Sequence, residues 1–86
     1  MENLELFHTR KLALSEKITM SELEELSKSD DMITRYFVAR NPKSTMEILN
    51  ILALDEDVEV RDMALKHRTI KVRPKESSDK LEIKES

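Results

Sequence analysis

The side chains that most often perform catalysis or bind metals are sparse in this sequence. Histidine occurs twice, at His8 and His67, in separate segments and without further ligand-type residues at metal-binding spacing. The chain contains no cysteine and no glycine, which excludes a thiolate metal site and a glycine-rich phosphate-binding loop. The adjacent carboxylates Asp30 and Asp31 are explained as helix caps. We therefore predict a protein that is not an enzyme and that binds neither a cofactor nor a metal.

The composition favours helices. Of the 86 residues, 38% are charged and 38% are hydrophobic, and only Phe7, Tyr36 and Phe37 are aromatic, which is untypical of a strand-rich domain. The formal net charge of −3 argues against indiscriminate binding to nucleic acid. The N-terminus lacks a secretory pattern, and no segment has the roughly 18 consecutive apolar residues of a membrane helix. The sequence therefore predicts an all-α, cytoplasmic protein that does not associate with membranes.

The chain contains an internal repeat with a period of about 26 residues, which lies in the range of known structural repeats. At this spacing Met20, Leu23, Leu26, Asp31 and Arg35 recur as Met46, Leu49, Leu52, Asp57 and Arg61. Repeats of this kind bury their apolar faces by stacking on their neighbours. We predict a short α-solenoid-like stack of helix pairs, with an N-terminal capping helix in residues 1–18 and helical repeats in residues 19–45 and 46–71. Residues 72–86 are charged and poor in hydrophobic residues, and they are predicted to form a disordered tail.

Each copy of the repeat is predicted to contain two helices. The first carries apolar residues at three-residue steps after a serine or threonine, and Ser44 with Glu47 forms a candidate capping box. The second begins at Asp31 or Asp57, whose carboxylates suit a helix N-terminus, and extends to about residue 40 or 66. An Asn-Pro pair ends the first of these second helices. Their inward positions, spaced three and four apart, are predicted to be Thr34, Phe37, Val38, Val60, Met63 and Ala64.

The repeat has the sequence features of known helical-repeat families. The run ITRYFVARNPKSTM at residues 33–46, with LNILALDEDVEVRDMAL after it, resembles leucine-rich-repeat-variant units, in which Arg, Ala and Asn-Pro precede the next helix. The segment DEDVEVRDMAL at residues 55–65 is similar to the second half of a HEAT repeat. The resemblance covers residues 19–68, although His67 and Arg68 stand where the Asn-Pro pair would recur. It implies a scaffold that presents a surface to protein partners or, in a minority of such proteins, to DNA.

Arginines at corresponding positions predict a structural ladder between the repeats. Arg35 and Arg61, with Arg10 as a further rung, are expected to donate hydrogen bonds to the acidic turns before the second helices, because a guanidinium suits carboxylates. The ladder is assigned to Arg35, Arg61, Asp31 and Asp57, and Asp30 and Asp55 lie in the same turns.

Three charged positions of the first copy become apolar in the second. The pairs are Glu22 and Ile48, Glu25 and Ile51, and Lys28 and Leu54. Three-residue spacing would place the three apolar residues on one helix face, which we call the apolar stripe. Two explanations stay open. The stripe is covered by C-terminal residues such as Ile70, Val72 or Leu81, or it binds a protein partner or a second copy of the chain.

Tyr36 is a second candidate for partner binding. Its counterpart in the second copy is Asp62, so the repeat alone does not require an aromatic residue there. Tyrosine is enriched at binding hot spots, and Tyr36 is therefore interpreted either as an interface anchor or as a surface aromatic that packs on its own helix.

Basic residues gather at the ends of the second helices and in the following turns. They are Arg40, Lys43, Lys66, His67, Arg68, Lys71 and Arg73, which we call the basic edge. In these places they complement the negative ends of the helix dipoles. The leading hypothesis is a non-catalytic protein-interaction module, a small adaptor or inhibitor, that uses the apolar stripe and Tyr36. The alternative is a nucleic-acid-binding module that uses the basic edge.

Overall fold

The computed structural model describes residues 3–72 and shows an all-α chain, as the composition predicts. Within residues 3–72 the five helices are α1 (Asn3–Leu14), α2 (Met20–Leu26), α3 (Met32–Arg40), α4 (Met46–Leu52) and α5 (Val58–Val72). No strand occurs within this range. The predicted disordered tail lies outside the described residues, except for Val72, which ends α5.

Threonine side chains cap the first helix of each copy. The Oγ1 of Thr19 accepts a hydrogen bond from the Glu22 backbone N–H at 3.1 Å, and the Glu22 side chain accepts one from the Thr19 N–H at 2.9 Å. Thr45 caps α4 by accepting from the Ile48 N–H at 3.2 Å. The predicted capping box of Ser44 with Glu47 is therefore wrong. Ser44 is buried and its hydroxyl donates to the Val38 carbonyl at 2.6 Å, so it closes the preceding turn instead.

The second helices begin as predicted, but they end differently. Asp31 caps α3 by accepting from the Thr34 backbone N–H at 3.0 Å, and α3 ends at Arg40 before the Asn-Pro pair. In contrast, α5 continues past the predicted end near residue 66 to Val72. His67 and Arg68 replace the Asn-Pro pair there, and neither residue prevents a helix from continuing, whereas proline does.

The helices pack with α3 at the centre. Helix α3 contacts α1 on one side and α5 on the other, α2 packs on α3, and α4 packs on both α3 and α5. The core consists of the buried residues Ala13, Ile18, Leu23, Val38, Ala39, Ile48, Leu49, Leu52, Ala53, Val60 and Ala64. Full burial of a leucine or isoleucine side chain stabilises a fold by about 1.5 to 3 kcal/mol, so this contiguous cluster holds the five helices together.

The predicted inward positions of the second helices agree with the observed burial. Thr34 and Val38 of α3, and Val60 and Ala64 of α5, are buried, while Phe37 and Met63 are partly buried and pack against the core. In the first helices the leucines are inward, but both methionines, Met20 and Met46, are exposed on the first turn.

None of the helices in residues 3–72 combines the length and the apolar composition needed to span a bilayer.

Candidate functional site

Two arginine–aspartate pairs connect α1, α3 and the turn before α5. Arg10 of α1 donates from Nε and Nη2 to the two carboxylate oxygens of Asp31, each at 2.9 Å. Arg35 of α3 donates in the same two-pronged way to Asp55, at 2.8 and 3.1 Å. Paired hydrogen bonds of this geometry are among the strongest polar contacts in proteins, because the guanidinium matches the carboxylate in shape and charge. The two pairs fix α1 to α3, and α3 to the turn before α5.

The acidic partner of Arg35 differs from the one predicted for the ladder. Asp55, and not Asp57, accepts from Arg35. Asp57 stands at the start of α5, where its side chain accepts from the Glu59 N–H at 3.0 Å and its carbonyl accepts from the Arg61 N–H at 3.0 Å. The Asp57 carboxylate caps the N-terminus of α5, and Arg35 pairs instead with the carboxylate of Asp55, two residues earlier.

Arg35 and Arg61 also make a matching backbone contact. The Nη1 of Arg35 donates to the Ser29 carbonyl at 2.9 Å, and the Nη1 of Arg61 donates to the Asp55 carbonyl at 3.0 Å. Each acceptor lies six residues before its arginine, so the contact recurs at the repeat spacing. Arg61 differs from Arg35 in one respect: among residues 3–72 it forms no ion pair with a carboxylate.

The pairs lower the pKa of both aspartates. Hydrogen bonds from Arg10, followed by those from Thr34, hold the pKa of Asp31 well below its ordinary value, although partial burial opposes them. For Asp55, burial raises the pKa, but hydrogen bonds from Arg35 and from the Asp57 N–H outweigh it, and the net shift is downward. A lowered pKa in the folded state means that the ionised form is stabilised by folding.

Acid is therefore expected to destabilise the fold through these pairs. Their contribution is complete above the ordinary aspartate pKa of 3.8 and is lost as the pH falls below it towards the lowered values. Urea unfolding followed by circular dichroism at a series of pH values should show this loss. In the Asp31→Asn variant the dependence on pH below 3.8 should be shallower, while the control Asp62→Asn, an exposed position on α5, should keep the slope of the parent. An equal slope in Asp31→Asn and the parent would contradict the account.

Asn41 is a buried polar side chain that joins two helix ends. It is fully buried, and its Nδ2 donates to the carbonyls of Ala13 at 2.8 Å and Ser15 at 3.1 Å, while its Oδ1 accepts from the Lys43 N–H at 2.9 Å. It thereby ties the end of α3 to the end of α1. The sequence identified this residue only as a helix stop, and the burial of Asn41 and Ser44 was not predicted.

His67 makes the corresponding contact one repeat later. Its Nδ1 lies 2.9 Å from the Ala39 carbonyl, a pairing that requires the proton to be on Nδ1, since a carbonyl only accepts. His67 follows Asn41 by one repeat period, and Ala39 follows Ala13 by the same separation. The histidine, which lies within α5, connects this helix to the end of α3, and the asparagine connects the end of α3 to the end of α1.

Most members of the basic edge are occupied by contacts within the chain. Lys43 donates to the carbonyls of Glu16 at 3.1 Å and Ile18 at 2.8 Å, and Lys71 donates to the Pro42 carbonyl at 3.4 Å. Arg68 donates to the Asn50 side chain at 2.8 Å. The acceptors are loop carbonyls and one side chain, so the interpretation that the basic residues complement helix C-termini stays a prediction. Arg40 and Lys66 are exposed, and Arg73 lies outside the described residues.

The apolar stripe is divided by the structure. Ile48 is only 3% exposed and belongs to the core, so the expectation that it lies on an exposed face is wrong. Ile51 and Leu54 are 57% and 84% exposed, respectively. The reason is that α4 packs on both α3 and α5, which turns the Ile48 side of the helix inward. Among residues 3–72, nothing covers Ile51 and Leu54; of the suggested covering residues, Ile70 is itself exposed and Leu81 lies outside the described part.

Ile51 lies at a groove of about 450 Å³ between α4 and the end of α2. The groove is lined by Glu24, Ser27, Lys28, Glu47, Ile48, Asn50 and Ile51. The two isoleucines form its apolar part. Its charged residues are the acidic Glu24 and Glu47 and the basic Lys28. We call it the α2–α4 groove.

Tyr36 is half-buried and lies at a second, smaller groove. Its ring packs against the core and stands 6.0 Å from the ring of Phe37, at an angle of 52°. With Glu59, Asp62, Met63 and Lys66 of α5 it lines a groove of about 320 Å³ between α3 and α5. Tyr36 therefore lies at the junction of α3 and α5, separate from the α2–α4 groove.

The part of the chain that the structure describes contains no cluster of three or more His, Asp or Glu side chains arranged to hold a metal ion. His8 is exposed on α1 beside Phe7, and His67 is used in packing. No protein-family model, curated protein or solved structure matches the chain significantly. The resemblance to leucine-rich-repeat-variant and HEAT units therefore stays a prediction.

Proposed function

We propose that this chain is a short, solenoid-like stack of helix pairs that binds another protein without catalysis, as an adaptor or an inhibitor. The observation that carries the proposal is the exposure of Ile51 and Leu54 where the first copy has Glu25 and Lys28. If these positions served the stack alone, charged residues would suffice, because they do so in the first copy. Exposed apolar side chains lower the solubility of a protein, and we expect them at positions where they contact a partner.

Contacts that recur at the repeat spacing support the stacked arrangement. The side chains of Asn41 and His67 each form a hydrogen bond with the carbonyl of the residue 28 positions earlier. The side chains of Arg35 and Arg61 each donate to the carbonyl of the residue six positions earlier. Equivalent positions thus make equivalent contacts at successive helices, which is how neighbouring units interact in a repeat array.

The α2–α4 groove is the proposed binding surface. The exposed Ile51 side chain and the edge of Ile48 would accept one apolar side chain of the partner, and Leu54 extends the apolar area beyond the groove. Glu24, Lys28 and Glu47 surround this area and can pair with charges of the partner, which sets orientation more than affinity. Tyr36 is a candidate for a separate flanking contact.

Replacing Ile51 by glutamate tests the proposal. Because Ile51 is more than half exposed, the change should leave the fold intact, with an effect on stability of about 0.5 kcal/mol or less. Burial of an isoleucine contributes about 1.5 to 3 kcal/mol, so affinity for the partner should fall by about tenfold or more. The measurement is affinity capture with mass spectrometry, followed by titration with the purified captured protein.

Leu4→Glu is the matched control, since it makes the same chemical change at an exposed position of α1, far along the chain from the groove. It should capture what the parent captures. If Ile51→Glu keeps its fold by circular dichroism and captures the same proteins with the same affinity, the groove is not the interface. Light scattering of the parent identifies the case in which the partner is a second copy.

The nucleic-acid alternative stays a prediction. Within the basic edge, Lys43, His67, Arg68 and Lys71 already have partners in the chain, which leaves the exposed Arg40 and Lys66 as its described members available to phosphate. Binding through them would weaken steeply as salt rises. A gel-shift assay that shows no complex at low salt would dispose of this alternative. The cytoplasmic location is likewise a prediction.

A further inference from the structure

Helix α1 carries an exposed face in which a positive charge lies between two apolar side chains. The residues are Phe7, Lys11 and Leu14, at a spacing of four and three positions, and we call them the α1 face. Phe7 is 54% exposed and Leu14 is 41% exposed. The Lys11 ammonium lies 5.6 Å from the centre of the Phe7 ring. The charge of this face therefore lies beside its largest apolar side chain.

Helix α5 carries a face with the same spacing and the opposite charge. The residues are Val58, Asp62 and Leu65, which we call the α5 face. Val58 is 52% exposed and Leu65 is 38% exposed. The three residues lie on the side of α5 opposite the buried Val60 and Ala64, so they point away from the core.

The two central charges have no ionic partner within residues 3–72. The ion pairs formed in this range use other residues. Arg61, the cation next to Asp62 in the chain, directs its guanidinium to the Asp55 carbonyl. Lys11 and Asp62 are therefore each available to a charge from outside this part of the chain.

We propose that the α1 face of one copy of the chain packs on the α5 face of a second copy, head to tail. With Lys11 opposite Asp62 of the second copy, the apolar residues on either side of each charge come into contact. Charge complementarity selects this occupant, because a second copy brings a face with the same spacing and the opposite charge. The contact also continues an order that the fold already has, since α3 lies between α1 and α5 and packs on both.

Association of this kind is open-ended. The α1 face and the α5 face belong to helices on opposite sides of α3, so a pair of molecules that forms one contact still has one face of each kind available. Two helix faces make a small interface, for which we expect a dissociation constant of about 0.1 mM. The average mass should therefore increase with concentration and pass the mass of two chains. The inference is independent of the proposed function, because the α2–α4 groove contains no residue of either face.

Exchange of the two charges tests the contact by light scattering. In Lys11→Glu and in Asp62→Lys, like charges would meet, so each variant should keep the mass of one chain up to about 1 mM. The double variant, Lys11→Glu with Asp62→Lys, restores opposite charges and should associate as the parent does. Both positions are exposed, so the circular dichroism of all three variants should match that of the parent. The control Ile51→Glu changes the groove alone and should associate as the parent does.

A mixture of two blocked variants tests the head-to-tail order. Phe7→Glu blocks the α1 face and Leu65→Glu blocks the α5 face, so each variant alone should have the mass of one chain. Together they provide one intact face of each kind. The mixture should form dimers that contain one molecule of each variant, and nothing larger.

Four results would overturn the inference. The first is a parent protein that keeps the mass of one chain up to about 1 mM. The second is a folded double charge variant that does not associate, and the third is a mixture of the two blocked variants without dimers. The fourth is association that is lost in Ile51→Glu and kept in Lys11→Glu, which would place the contact between copies in the α2–α4 groove.

Discussion

Alanine in place of Asn41 is expected to lower the free energy of unfolding by about 3 kcal/mol. The variant removes the two hydrogen bonds that the fully buried Asn41 side chain donates to the carbonyls of Ala13 and Ser15, and it leaves the Ser15 carbonyl with the long hydrogen bond from the Ile18 N–H at 3.5 Å. It also removes packing volume between the ends of α1 and α3. Urea unfolding followed by circular dichroism measures the loss.

Asn50→Ala is the matched control for this prediction. Asn50 is exposed on α4 and accepts a single hydrogen bond, from Arg68, so its loss should cost about 0.5 kcal/mol or less. If the two alanine variants were equally stable, Asn41 would not join α1 to α3 in the way described.

Arg35→Gln should lower the free energy of unfolding by about 2 to 3 kcal/mol. The side chains of Arg35 and Asp55 are only 13% and 8% exposed, so the change leaves a nearly buried carboxylate without its paired donors. It also removes the hydrogen bond to the Ser29 carbonyl. Breaking one side of a buried pair costs more than the pair itself contributes, because the remaining charge stays desolvated.

Arg10→Gln is the comparison at a more exposed pair. It breaks a pair of the same geometry whose side chains are more exposed, at 33% and 18%, and water can therefore solvate the remaining Asp31. Its unfolding midpoint in urea should lie between those of the parent and Arg35→Gln. The opposite order of the two variants would contradict the role given to burial.

Local sequence patterns were sufficient to predict most of the helices. The starts of α3 and α5 followed from Asp31 and Asp57, and the end of α3 from the Asn-Pro pair, because capping and helix termination depend on a few neighbouring residues. The end of α5 was not predicted, since the same register in the second copy holds residues that permit a longer helix. The inward faces of α3 and α5 were also predicted, because the apolar spacing reports directly on a helix face.

The candidate site could not be predicted as well, because it depends on contacts between helices that no local sequence pattern specifies. Ile48 has the same three-residue spacing as Ile51 and Leu54, but its burial follows from where α4 rests on other helices. Likewise, both Asp55 and Asp57 were candidates for the ladder, and only the three-dimensional course of the turn decides which one meets Arg35. The role of Asn41 could have been predicted from the repeat. Its counterpart in the second copy is His67, and two side chains that can both form hydrogen bonds at equivalent positions suggest a shared contact.

Helix α5 packs on α3 in the same way as α3 packs on α1, and the proposed function depends on this arrangement. Nuclear Overhauser spectroscopy tests it at the two corresponding contacts. We expect cross-peaks from the Asn41 side-chain amide to Ala13, and from the His67 ring to the residues around the Ala39 carbonyl. Cross-peaks at Asn41 together with none between His67 and the end of α3 would contradict the stacked arrangement and the function proposed from it.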